Sequence, residues 1–209
     1  MELSITLVLI IITCLVSYYG WKNPVFMEES LFSPYKVARN QEYGRFLKSG
    51  FIHKDGTHLL FNMFTFYFFG NEVEQYFIYV FGQLTGIVVF VVFYLVAIIV
   101  ADLPTYLKEK DNPAYHALGA SGGTSATVFA SIILMPLSYI CIFGIFCLPG
   151  FILGLLFLGY AFYKGKMSND HINHDAHFYG ALFGIGVIVL LAPENAVYFW
   201  EEIKTFSFF

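Results

Sequence analysis

Three short segments of the chain carry side chains able to do chemistry. The first is Thr57-His58-Leu59-Leu60-Phe61-Asn62-Met63-Phe64-Thr65. His58, Asn62 and Thr65 recur at i, i+4 and i+7, which puts them on one face of a helix. Such a face is either a hydrogen-bonded seam between helices or a functional site, because a polar side chain is costly in lipid. The second is Gly119-Ala120-Ser121-Gly122-Gly123-Thr124-Ser125. Small residues there would let another helix approach closely. They also place a serine at a helix start, where glycines leave room for a substrate backbone and exposed N–H groups favour developing negative charge. The third is Asp175-Ala176-His177-Phe178-Tyr179-Gly180-Ala181-Leu182-Phe183-Gly184. Its His177, Gly180 and Gly184 form one stripe that could press on the small residues of the second segment. Packed that way, the Ser121 hydroxyl would come within about 2.6–3.2 Å of an imidazole nitrogen, pairing a weak nucleophile with a base.

Two other chemistries compete for these residues. Gly119-x-Ser121-x-Gly123 satisfies the nucleophile-elbow pattern, but that elbow needs a preceding strand in an α/β sheet. Here the upstream segment, Lys108 to Tyr115, reads as polar loop. His171, His174 and His177, helped by Asp170 and Asp175, could ligate a metal. Lys164 to Asn173 reads as loop, however, so only His177 is helical, and the expectation is no metal and no cofactor.

The elements that must position these residues are membrane helices. Hydrophobic residues make up 58% of the 209 and charged residues 12%, about half the charge of a soluble domain. That excludes an ordinary soluble domain and a disordered chain, and a net charge of −4 offers no basic patch for nucleic acid. Charge-free windows, cut where Pro136 and Pro149 interrupt the longest, give six spans at about 3–20, 57–74, 83–103, 120–135, 149–163 and 175–192. The fold class expected is therefore an all-α membrane protein, a single domain over 1–209. The segment 21–56 reads as an ordered loop lying at the membrane surface. The first span reads as an anchor, because Met1-Glu2 lacks a positive n-region. Cys14, Cys141 and Cys147 all fall in apolar runs, which implies no disulfide framework.

His58-x-x-x-Asn62, then Gly119-Ala120-Ser121-Gly122, then Ala176-His177-x-x-Gly180-x-x-x-Gly184, in that order on six spans, resembles the rhomboid family of intramembrane serine proteases. Glu42-Tyr43-Gly44-Arg45-Phe46-Leu47 is similar to the family's first-loop segment, with Arg45 as its structural arginine and the preceding aromatic displaced. The resemblance runs from about residue 42 to 190. It implies a six-helix bundle in which Ser121 is the nucleophile and His177 the general base and acid. His58, Asn62 and the Ser121 N–H would stabilise the oxyanion, Gly119 would keep that pocket open, and Gly180 and Gly184 would make the close helix contact. The family often has an aromatic four residues after the serine, against the histidine. Ser125 stands there, so another group must hold the His177 ring.

The substrates implied are single-span membrane proteins within the lipid bilayer, cut near a span end, with the fifth span and the 164–174 loop as gate and cap. The competing reading within the family is a rhomboid-like binding or quality-control protein without catalysis; presence of both Ser121 and His177 favours the enzyme. A transporter would need charged residues at mid-span, and the proposed spans have none at their middles. Oligomeric state is not legible. Orientation draws on two opposed signals. The loops at 21–56, 104–119 and 164–174 hold 10 of the 11 Lys and Arg residues, which by the positive-inside rule places them in the cytoplasm. The family's usual topology places them outside it. The expectation follows the family: a plasma-membrane protein with its active site opening to the non-cytoplasmic side.

Overall fold

The structure, a computed structural model, describes residues 4–142, 144–167 and 172–207. Met1, Glu2, Asp170 and His171, named above, lie outside the described residues, as does residue 3 at the start of the first span. Six long helices occupy the six segments: α1 (Ile5–Lys22), α5 (Gly56–Phe81), α6 (Gln83–Glu109), α7 (Ser121–Leu134), α8 (Gly150–Met167) and α9 (His174–Leu191). Three short helices, α2 (Pro24–Ser30), α3 (Pro34–Asn40) and α4 (Arg45–Lys48), and a 3₁₀ turn over Ser49–Phe51 lie between α1 and α5; α10 (Glu194–Thr205) follows α9. Among the described residues, α1, α6 and α9 are long and apolar enough to cross a membrane by length and composition, and α7 is apolar but shorter.

Local chemistry sets the boundaries. Asn23 and Ser33 cap α2 and α3 through their side chains, each followed by proline at the first helical position. The Asp55 carboxylate accepts the His58 N–H, 2.8 Å, and starts α5. Gly82, at φ +81°, is the whole link between α5 and α6, a backbone region that favours glycine. Three helices outrun the sequence expectation, α5 by running to Phe81 past the expected end at 74. Helix α6 passes through Pro104 to Glu109, and α8 continues to Met167 with Lys164 and Lys166 in its last turn, where cations complement the helix dipole.

The segment 136–149 departs from an all-α fold. Strands β1 (Tyr139–Ile142) and β2 (Phe146–Pro149) pair antiparallel, turning near Gly144 at φ +69°. Cys141 faces Cys147 in register and the two form a disulfide, which overturns the expectation of no disulfide. An apolar run between two prolines carries no period to distinguish strand from helix, and the cysteines meet only once the hairpin forms.

Helix α7 is the centre of the bundle, packed between α5, α6 and α9. Its core partners include Phe66, Tyr94, Ala97 and Ile188. Two acids, of which Glu74 is buried, fasten the helices at the end remote from Ser121. Glu74 accepts the Ile5 and Thr6 N–H groups, both at 2.9 Å, and the Thr6 hydroxyl, so a carboxylate satisfies the orphan donors of the α1 N-terminus. Glu72 accepts the Ser131 hydroxyl and ties α5 to α7.

The segment between α1 and α5 is folded, with a small core of Phe32, Val37 and Phe46 packed against Ile99, Tyr106 and Ala117. Arg45 is buried at its centre. Its guanidinium pairs with Glu42 and donates to the carbonyls of Glu28, 2.9 Å, and Leu31, 2.8 Å.

Candidate active site

The Ser121 turn is held from below by that folded segment. Phe32 and Ala117 exchange both backbone hydrogen bonds, 2.9 and 3.0 Å. The Gly119 N–H donates to the Ser49 carbonyl, 2.9 Å, and the Ala120 N–H to Nε2 of His53, 3.3 Å. Ser121 then opens α7, with no side-chain cap on that helix. The turn requires glycine at 119. Its φ is +120°, and a methyl group there would lie 2.7 Å from Cε1 and 2.9 Å from Nε2 of His58. The His58 ring therefore sits directly against the residue two before Ser121. Asn62 is buried one turn further along α5, and its amide donates to the His58 carbonyl, 3.0 Å. That uses one of its two N–H groups.

His177 lies in the first turn of α9. Asn173 caps this helix, its side-chain oxygen accepting the Ala176 N–H, 3.1 Å. The seam between α7 and α9 is closed by glycines. A Cβ on Gly180 would strike the Gly122 carbonyl oxygen, and one on Gly184 the Ala126 carbonyl oxygen. Gly122 itself faces Ala101 on one side and Ala176 on the other. Ser121 and His177 are thus each one residue from the Gly122–Ala176 contact. A cavity of about 20 Å³ opens beside Ser121, lined by Ser49, Asp102, Gly119 and Asn173 among others. It is roomy and polar enough for one water.

The His177 ring is flanked by Phe157 of α8, stacked at 6.2 Å and 28° between planes, and by His174, edge-on at 5.9 Å. Phe157 thus takes the place for which Ser125 has no ring. Spacing within one helix could not find it, because the partner comes from another helix.

His53 is the second residue that motif reasoning passed over. It is fully buried. Because Nε2 accepts from Ala120, the ring proton is on Nδ1, which faces the Ser17 hydroxyl at 3.0 Å; that hydroxyl in turn donates to the Phe51 carbonyl. The Trp21 indole donates to the His53 carbonyl, 2.7 Å. Burial, with the nearby His58 adding to it, pushes the His53 imidazole down to about 3, so it is neutral. The one sequence signal was a histidine five residues before His58, outside any helix. Among the described residues no group of three or more His, Cys, Asp or Glu side chains is arranged to hold a metal ion.

Comparison with known proteins bears on this arrangement. The family model for the Rhomboid domain matches residues 40–194, a stretch that includes His53, His58, Asn62, Ser121 and His177. A curated relative, "RHOMBOID-like protein 12, mitochondrial" of Arabidopsis thaliana, is 25% identical over 168 residues, covering 75% of this chain and 50% of the relative. The chain therefore spans about half the length of that relative.

Proposed function

The chain belongs to the rhomboid family, and within it we propose an intramembrane serine endopeptidase that cuts single-span membrane proteins through Ser121 and His177. The observation that carries this reading is the glycine-closed contact of α7 on α9, which sets the serine-bearing turn beside the histidine-bearing one. His58 and Gly119 adjoin the same turn.

Ser121 Oγ attacks the scissile carbonyl while His177 takes its proton. The tetrahedral oxyanion is stabilised by the Ser121 N–H with the side chains of His58 and Asn62. Collapse expels the amine, which receives the proton from His177. A water, deprotonated by the same imidazole, then hydrolyses the acyl-serine and frees the enzyme. No metal or cofactor enters.

The bundle spans the bilayer with six helices. Helices α5 and α8, 26 and 18 residues long, join the three apolar spans and α7. At 14 residues, α7 is about 21 Å long, shorter than a hydrocarbon core of about 30 Å. Ser121 at its start therefore lies below the membrane surface, where the cavity beside it supplies water. Substrate enters past α8 and is cut near its span end, where helix-weakening residues let it unwind.

We place the active face on the non-cytoplasmic side of a plasma membrane. Four basic residues of that face are paired with acids: Lys36 with Glu28, Arg39 with Asp111, Arg45 with Glu42 and Lys108 with Asp175. Lys36, Arg39 and Arg45 belong to the folded segment between α1 and α5, and folding weakens the simple count for the opposite side, because domains translocate largely regardless of charge. A tag within 104–119 that labels on intact cells supports this placement; labelling only after lysis reverses it and leaves the chemistry untouched.

The test of function is cleavage of a single-span reporter by the purified protein in detergent. Ser121→Ala and His177→Ala each abolish turnover with unchanged thermal unfolding. Persisting cleavage by Ser121→Ala removes the serine assignment.

A further inference from the structure

Asp102 is a buried acid that the mechanism above does not use. It sits near the C-terminal end of α6 and lines the cavity beside Ser121. Its Oδ1 accepts a hydrogen bond from Nδ2 of Asn173, 2.9 Å. One turn further along α6, the Thr105 hydroxyl donates to Oδ1 of the same asparagine, 2.8 Å. That oxygen also takes the Ala176 N–H at the start of α9, and the Asn173 backbone carbonyl accepts the His177 N–H, 3.4 Å.

We propose that Asp102 is a positioning residue for His177, acting through Asn173. This rests on the serine-protease reading above. The two ends of an asparagine amide have nearly the same shape but opposite hydrogen-bonding character. The carboxyl oxygen that faces Asn173 accepts from it, so Asp102 draws the NH₂ end of Asn173 towards α6. The oxygen end is then left for the cap of α9. With the cap fixed, the first turn of α9 is fixed in height and rotation, and His177 is carried on that turn. A residue chosen only for packing at this depth would be apolar, since a buried polar group is costly unless it is hydrogen-bonded. The carboxyl group is explained by the need for an acceptor oxygen at this point, opposite the Asn173 amide.

The test uses the full-length protein with a single-span reporter. Active sites are titrated with a fluorophosphonate, so that kcat refers to folded, reactive enzyme. Asp102→Ala is expected to lower kcat on the order of 10- to 100-fold, the scale of a misplaced catalytic group, with KM within about twofold. Asp102→Asn keeps an acceptor oxygen of the same reach and should recover most of that loss. Asn173→Ala should lower kcat similarly, and the double variant Asp102→Ala/Asn173→Ala should be no worse than either single one. A titrated kcat for Asp102→Ala equal to wild type overturns the proposal. So do additive effects in the double variant, or an Asp102→Asn protein as slow as Asp102→Ala. Failure of the protease reading itself looks different: the wild-type protein then takes up no fluorophosphonate, or Ser121→Ala still cleaves.

Discussion

Helices α7 and α8 are neighbours with opposite characters. Of the 14 residues of α7, 11 are buried; of the 18 in α8, 3 are. The buried helix carries the small polar residues Thr124, Ser125, Thr127 and Ser131, while the exposed one presents Leu155, Leu156, Tyr160, Phe162 and Tyr163. In lipid this is the expected distribution. Aliphatic and aromatic side chains face acyl tails, and small polar residues mediate close helix packing. The same contrast separates a helix held on several sides from one held at few points. Helix α7 is clamped through glycines on one side and the folded first segment on the other. Helix α8 touches the core at few points, among them Gly154 beside Phe129 and Phe157 beside His177.

Substitutions at glycines should break this contrast most sharply if it is wrong. Gly180→Ala forces a methyl group into the Gly122 carbonyl. Overpacking of this kind costs about 1–3 kcal/mol, so its melting temperature should fall by roughly 3–10 °C and cleavage should be lost. Equal melting and full activity would show that the seam is loose. Next in size, Gly119→Ala must strain a φ of +120° and displace the His58 ring. It should lower kcat/KM by about 10²–10³, the worth of one oxyanion donor, with circular dichroism unchanged. Phe157→Ala removes the ring that the exposed helix α8 stacks on His177; a drop of about tenfold in kcat is expected, and a wild-type rate would mean that α8 does not help hold the base.

A smaller effect concerns pH. His53 is held neutral, with its folded-state value near 3, below the ordinary 6.5. The unfolded chain therefore binds the extra proton, and stability is lost as pH falls from about 6.5 towards 3. Thermal unfolding followed across that range should show the loss in wild type and less of it in His53→Gln. Smallest is Gly159→Ala on α8. A methyl group there meets nothing within 4 Å, so removing a helical glycine should stabilise by about 0.5–1 kcal/mol and leave turnover intact.

The long helices were legible because lipid and close packing both exclude charge, so charge-free windows mark them. Their ends were less so, since Pro104 and the lysines at 164 and 166 are compatible with a helix continuing beyond the apolar stretch. The β1–β2 hairpin was not legible, because an unbroken apolar run has no period. Within the candidate site, spacing along one helix exposed His58 with Asn62 and His177 with Gly180 and Gly184. It could not expose His53, Asp102 or Phe157. Each of these acts on an element distant in sequence, and only the assembled bundle brings His53 to Ala120, Asp102 to Asn173 and Phe157 to His177.

The central claim is that Ser121 is made reactive by His177 across the α7–α9 seam. Mass spectrometry of the intact protein after fluorophosphonate treatment reads this directly. The account predicts a single adduct, on Ser121, that forms in wild type and is lost in His177→Ala. An adduct on another serine, or equal labelling of Ser121 when His177 is replaced, would contradict it.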